Sequence, residues 1–334
     1  MADYSFASDN TAGACPEAME AIVAANAGFT AGYGADAVTA RAADLVRGML
    51  DCDADVRFVA SGTAANAIAC AALCRPFEAV MAHGLSHVVT DETGAPGFFG
   101  GGLGLIPLPG EHGRIDPDAL AQALLEPDNA HRQNPAALSI TNVTEYGTLY
   151  AEADVAHLTA TARAHGLAVH LDGARLASAV AAGFDVTALP RLGVDVLVLG
   201  GTKAGASLSE AVVLFDKSLS RRFDARLKQA GQLASKGRFL SAPWIGLLET
   251  GAWARYAAHA NAMARKLAAL MPHPIVHPVE ANAVFVDMDD AALERLHARG
   301  WTVYRLHDGA ARFMCSWATT EASVERLGEA LRAG

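Results

Sequence analysis

Short β-branched runs alternate with longer amphipathic stretches along most of this chain. Runs too short for a helix, and bounded by glycine or polar turn residues, predict strands at Val56 to Ala60, Ala79 to Ala82, Ala136 to Thr141, Leu167 to Leu171 and Glu210 to Phe215. The stretch Val-Asp-Val-Leu-Val-Leu-Gly-Gly-Thr-Lys-Ala-Gly, from Val194 to Gly205, predicts a buried strand running out into a loop. Between these lie helical patterns. Ala37 to Leu50 places Val38, Ala42, Leu45 and Met49 on one face; an Ala-rich helix holding Asn66, Ile68 and Leu73 follows Ser61-Gly62-Thr63; Asp116-Pro117 opens a helix; Val155 to His165 is stopped by Gly166. The glycines at 100, 101, 102 and 104 read as a loop, because no acidic residue closes a dinucleotide fingerprint after them. Strands alternating with helices give an α/β class with a parallel sheet.

Past Phe215 the pattern changes. Arg221, Arg222, Arg226, Lys228, Lys236 and Arg238 read mostly as a solvated helical face, and long helices run from Pro243 to about Leu270. Strands are predicted at Ala283 to Met288, Thr302 to Leu306 and Arg312 to Trp317, with helices at Ala291 to Arg299 and Ser323 to Leu331. The division is therefore a large domain over residues 1–249, with an N-terminal arm, and a small C-terminal α/β domain over 250–334. The polar, glycine-rich Ser8 to Gly34 buries little by itself, so it is expected to drape over the main domain or a neighbouring subunit.

Composition narrows the function. With 334 residues, 52% hydrophobic and 19% charged, the chain buries a sizeable core and is not disordered. A net charge of -10 without a basic cluster argues against nucleic acid as a partner. No signal peptide is visible, and the longest uncharged apolar stretch, Ala64 to Cys74, is too short to span a membrane. Five scattered cysteines read as reduced thiols rather than zinc ligands or disulfides, so the cytoplasm is the expected compartment and no metal is expected.

Three features fall at the carboxyl ends of predicted strands, where ligands of open α/β sheets collect. Lys203 follows the paired glycines; it is either an ordinary surface lysine or an amine stripped of its hydration and made nucleophilic. Asp172, in Leu171-Asp172-Gly173-Ala174-Arg175, needs a cationic partner, and Arg175 and a protonated ring nitrogen are both candidates. Ser61-Gly62-Thr63 opens a helix and is either a plain cap or a phosphate seat. A phosphate, a pyridine nitrogen and an aldehyde would use all three, and pyridoxal 5'-phosphate carries those parts.

These residues also carry a resemblance. Phe6-Ala7-Ser8-Asp9-Asn10, Ser61-Gly62-Thr63-Ala64-Ala65-Asn66, His87, Thr144-Glu145-Tyr146-Gly147-Thr148, the Asp172 segment, Gly200-Gly201-Thr202-Lys203 and Arg312-Phe313-Met314-Cys315-Ser316 run in the order of the L-threonine aldolases. The resemblance is to the low-specificity bacterial branch of these pyridoxal-phosphate enzymes, in the aspartate-aminotransferase fold group. It implies a mostly parallel seven-stranded sheet flanked by helices (fold type I) and cleavage of β-hydroxy-α-amino acids such as L-threonine and L-allo-threonine to glycine and an aldehyde. It implies that Lys203, with Thr202 beside it, bonds the cofactor aldehyde. Asp172 would hold the ring nitrogen, His87 would stack on the ring, and Ser61, Gly62 and Thr63 would hold the phosphate. Ser8, Arg175 and Arg312 would clamp the substrate carboxylate, with Arg175 also near the cofactor, while Lys228 and Tyr33 would reach a neighbouring subunit's site in a homodimer or homotetramer. Many threonine aldolases carry a histidine where Thr144-Glu145 stands, so the general base stays open among His87, Glu145, a water and His131. A relative preferring phenylserine, or a β-eliminating enzyme on the same fold, is the alternative.

Overall fold

The β-branched runs pair into one sheet. In the computed structural model, which describes residues 2–306 and 308–333, seven strands form it: β1 (Asp55–Val59), β2 (Glu78–His83), β3 (Gly104–Leu108), β4 (Asn134–Thr141), β5 (Ala168–Gly173), β6 (Val196–Gly200) and β7 (Glu210–Leu214). Their order is β1-β7-β6-β5-β4-β2-β3, parallel from β3 through β6 and antiparallel where β7 meets β6 and β1. β6 and β7 are buried at every position, as strands covered on both faces must be. The mostly parallel seven-stranded α/β fold expected from the sequence is the one observed.

Three expectations need correction. The glycine run read as a loop hides β3, which begins at Gly104; at the sheet edge only Leu108 of its five residues is buried, so no long apolar run marks it. The helix Ala37–Leu50 buries Ala42, Val46 and Leu50, one position round from the predicted face, leaving Val38, Leu45 and Met49 half-covered. The helix read as starting at Pro243 starts at Arg238 and holds Pro243 inside it.

A second, three-stranded sheet joins β8 (Ala283–Val286), β10 (Ala311–Met314) and β9 (Tyr304–Arg305) in that order, all antiparallel. The Ala252–Leu270 helix links the two cores: Ala252, Trp253 and Ala257 lie in the core of the large sheet, and Met263, Ala264 and Leu267 in that of the small one. The N-terminal segment runs along the small sheet's unit. Asp3 and Trp301 form a bridge, Met314 N donates to Phe6 O at 2.9 Å, and the Phe6 ring lies 5.8 Å from that of Trp301. Among the described residues no helix is long and apolar enough to cross a membrane.

Candidate active site

At the carboxyl end of β6 the chain turns through Thr202–Ala204, which carries Lys203. Close backbone approach explains the two glycines before it. A Cβ on Gly200 would lie 2.1 Å from Ala174 O, and one on Gly201 2.5 Å from Ser209 O. The loop is tied from several sides: Gly201 N donates to Glu210 Oε2 at 2.8 Å, Ser209 N to Thr202 Oγ1 at 3.2 Å, and the Trp253 indole to Gly200 O at 3.1 Å. Burial, with the charge of Arg175, pulls the Lys203 amine below the usual lysine range, against the opposing pull of Asp9, Asp172 and Glu210. Burial also pushes Glu210 up to about 7.

Asp172 lies near the end of β5, in register with Val198 of β6. Its Oδ1 accepts from Ala174 N at 2.9 Å and its Oδ2 from Asn66 Nδ2 at 2.8 Å. Arg175, one of the two candidate partners for Asp172, is bonded elsewhere. Its Nε and Nη2 donate to Asp9 Oδ2 and Oδ1 at 2.7 and 3.1 Å. Burial alone would raise the Asp9 carboxyl; the charges of Arg175 and Lys203 and the Arg175 hydrogen bond outweigh it and bring it to about 2.

His87 opens the short helix His87–Thr90, where its backbone N donates to Glu145 Oε1 at 2.7 Å. Its ring Nδ1 lies 2.9 Å from Glu92 Oε1, and Glu92 Oε1 also accepts from Asn66 Nδ2 at 2.8 Å. That hydrogen bond to Glu92 raises the His87 ring above the usual histidine range despite its burial. Burial, and then the charge of Asp172, push Glu145 up to about 7.

The Gly62–Leu73 helix opens on Ser61, whose hydroxyl accepts from Ala64 N at 3.3 Å. A Cβ on Gly62 would meet nothing within 4 Å, at the positive end of this helix, with Thr63 next in the chain.

A cavity of about 560 Å³ is lined by Ser8, His87, Glu145, Arg175, Lys203 and Arg312, with Leu85, Tyr146, Tyr304 and Leu306 as an apolar wall. Arg312 reaches it from β10: Nη2 donates to Ala7 O at 3.1 Å, while its buried Nε has no partner among the described residues. Ser61, Gly62, Thr63, Asp172 and Thr202 do not line this cavity, and three further predicted residues lie elsewhere on the chain. His131 is exposed in the loop before β4, its backbone N donating to Asn129 Oδ1. Tyr33 lines a different cavity, and Lys228 Nζ sits 4.5 Å over the Tyr33 ring.

The residues fit a group with a phosphate, a basic ring nitrogen and an aldehyde. A Cβ on Gly62, at the start of its helix, would have room, Asp172 is fixed by two donors, and Lys203 has a depressed pKa. Asp9, Asn66, Glu92 and Glu210 have no role assigned from sequence. Their one advance signal is polarity among apolar neighbours, as with Asn66 in an alanine-rich helix.

A profile of the beta-eliminating lyase family matches residues 5–291. A low specificity L-threonine aldolase from a Pseudomonas species is 45% identical across 100% of this chain and 99% of its own. A threonine aldolase structure from Leishmania major superposes with a TM-score of 0.93 at 33% identity, covering 99% of each chain. Serine palmitoyltransferase from S. paucimobilis, solved with bound pyridoxal phosphate, shares the fold at 16% identity and a TM-score of 0.71, over 100% of this chain and 86% of that one. The chain therefore belongs to the beta-eliminating lyase family and groups with the low specificity L-threonine aldolases.

Proposed function

We propose that this chain cleaves L-threonine, L-allo-threonine and related β-hydroxy-α-amino acids to glycine and an aldehyde. It is a pyridoxal 5'-phosphate-dependent carbon–carbon lyase. The observation that carries the reading is one cavity in which a lysine of lowered pKa faces two arginines, one of them with an unpartnered Nε. When bound, the cofactor supplies an aldehyde for amino groups and a ring that accepts the electron pair of the breaking Cα–Cβ bond.

The chain's residues do the rest. Lys203 tethers the cofactor, and its lowered pKa keeps the amine ready to attack a carbonyl. Asp172, held by Asn66 and the Ala174 N–H, keeps a proton on the ring nitrogen. Ser61, Gly62 and Thr63 seat the phosphate at the helix N-terminus. Ser8, Arg175 and Arg312 fix the substrate carboxylate, which sets the Cα–Cβ bond across the ring's π system. The β-hydroxyl proton goes to His87 or Glu145, directly or through a water, since both line the cavity, the His87 ring is made more basic by Glu92, and burial lifts Glu145 to about 7.

Sites shared between subunits of a homodimer or homotetramer complete the reading. Its support is the Lys228–Tyr33 pair, which lies outside the Lys203 cavity of its own chain. Five unpaired cysteines support a cytoplasmic address. The test is incubation of holoenzyme with L-threonine, L-allo-threonine and L-phenylserine, with products quantified. Glycine and aldehyde in equal amounts are expected; ammonia and a keto acid would replace this reading with β-elimination.

A further inference from the structure

Glu92 is a carboxylate with a fully buried side chain that no step above uses. Its Oε1 meets two nitrogens, His87 Nδ1 at 2.9 Å and Asn66 Nδ2 at 2.8 Å, and Asn66 Nδ2 also reaches Asp172 Oδ2 at 2.8 Å. Two carboxylates flank that amide, so only its NH2 end can face them; the reverse orientation would set the amide oxygen against both. Glu92 Oε1 is thus an acceptor from Asn66. The His87 nitrogen sharing the same oxygen donates to it, which puts the proton of the neutral ring on Nδ1 and leaves the lone pair on Nε2. Because Nδ1 is turned into the protein against Glu92, Nε2 is the ring atom left for the cavity that His87 lines with Lys203.

We propose that Glu92, held by Asn66, is a positioning residue of this active site: it locks His87 in the Nδ1–H form and presents a basic Nε2 to the bound substrate. The proposal rests on the reading of His87 as a cofactor-facing group. An ion pair kept only to join two elements would be a poor use of a buried carboxylate. Glu92 Oε2 has no partner among the described residues, so the group bears a desolvation cost that a methionine or leucine would not. The chain Asp172–Asn66–Glu92–His87 also connects the carboxylate that would hold the ring nitrogen to the histidine that would stack on the ring.

The test begins with nitrogen-15 spectra of histidine-labelled holoenzyme, with His87→Phe assigning the signal, and needs no turnover. Above the ring's titration, wild type is expected to show a protonated Nδ1 and a bare Nε2, and Glu92→Leu to move the proton to Nε2. Glycine release by Glu92→Leu is expected to fall in kcat by about 10- to 100-fold, with KM changed less than about threefold, as befits an interaction made in the transition state. In a His87→Phe background, Glu92→Leu is expected to add no further loss. A protonated Nε2 in wild type, or equal losses with and without His87, overturns the proposal. Should Glu92→Leu not fold, Glu92→Gln keeps the shape and removes the charge. Of the charged groups around His87, which are Glu92, Asp172 and Lys203, Glu145 at its backbone N, and Asp91, Arg175, Arg305 and Arg312 in the cavity it lines, Glu92→Gln alters one, so the His87 midpoint must fall, and an unmoved midpoint overturns the proposal. Wild type that shows the Nδ1–H form yet yields no glycine from any hydroxy amino acid supports the Glu92 role and sinks the aldolase reading alone.

Discussion

The Arg175 guanidinium lies fork on fork against the Asp9 carboxylate, 166 residues away in sequence, at 2.7 and 3.1 Å. Both side chains are largely buried, and Asn282 donates to the same Asp9 oxygen at 3.2 Å. The N-terminal segment, the end of β5 and the loop before β8 thus meet at one ion pair. A guanidinium held along one edge is fixed in orientation, and Arg175, whose Nη2 also donates to Met314 Sδ at 3.4 Å, lines the cavity with Lys203 and Arg312.

Replacing Asp9 by Asn leaves a buried guanidinium without its counter-charge, which costs about 3 to 5 kcal/mol at neutral pH. Asp9 also shapes the acid limb. Its carboxyl is lowered from 3.8 to about 2 in the folded chain, so its stabilisation is full above pH 4 and lost as pH falls through 2. That span corresponds to about 2 kcal/mol. Denaturant titrations are expected to show Asp9→Asn weaker than wild type at pH 7, with a flatter decline from pH 4 to pH 2.

Gly62 offers a substitution that separates folding from binding. It is the first residue of its helix, and a Cβ there meets no protein atom within 4 Å. Gly62→Ala is therefore expected to leave the cofactor-free protein as stable as wild type, or more stable by about 0.4 to 1 kcal/mol. The same methyl occupies space at the proposed phosphate seat. Fluorescence titration with pyridoxal phosphate is expected to show affinity weakened by about tenfold or more, roughly 1.4 kcal/mol. Unchanged affinity would remove the phosphate from this helix end.

What the sequence disclosed and what it hid divide along a physical line. Lys203, Asp172 and Gly62 stand beside strand ends or helix starts, and such local punctuation is written in neighbouring residues. Asp9, Glu92 and Glu210 gain meaning only from partners brought in by the fold: Arg175, Asn66 and the Gly201 amide. No periodicity encodes a contact between the N-terminal segment and β5. Arg175 shows the cost of reading locally, since Asp172 is near it in sequence yet Asp9 holds it. Strand β3 escaped because an edge strand with half-covered residues needs no run of large apolar side chains.

Glu145 sets a pH dependence of the opposite sense to Asp9. Its carboxyl rises from 4.5 to about 7 on folding, so the folded chain holds that proton more tightly than the unfolded one. Stability associated with it is full below pH 4.5, declines as pH climbs to 7, and is flat above. Glu145→Gln keeps an oxygen for the His87 N–H and has no proton to lose. Relative to wild type, the cofactor-free variant is expected to gain about 3 kcal/mol between pH 4.5 and pH 8.5. Parallel unfolding curves across that range would place the Glu145 carboxyl in a wetter setting.

The Lys228–Tyr33 pair makes the proposed sharing of sites testable by mixing. Lys203→Ala removes the tether within a chain; Lys228→Ala, if Lys228 serves a neighbour, damages the site of the adjoining chain instead. Each variant alone is expected to be inactive or nearly so. When the two are unfolded and refolded together in equal amounts, about half the dimers are mixed, and each mixed dimer holds one site with both defects and one with neither. Recovered activity near a quarter of the wild-type value is expected. If Lys228 instead acts inside its own chain, every site of a mixed dimer carries one lesion and mixing recovers nothing. The Lys228 ammonium sits 4.5 Å over an exposed tyrosine ring, outside the cavity of its own Lys203, which is the arrangement a donated residue requires.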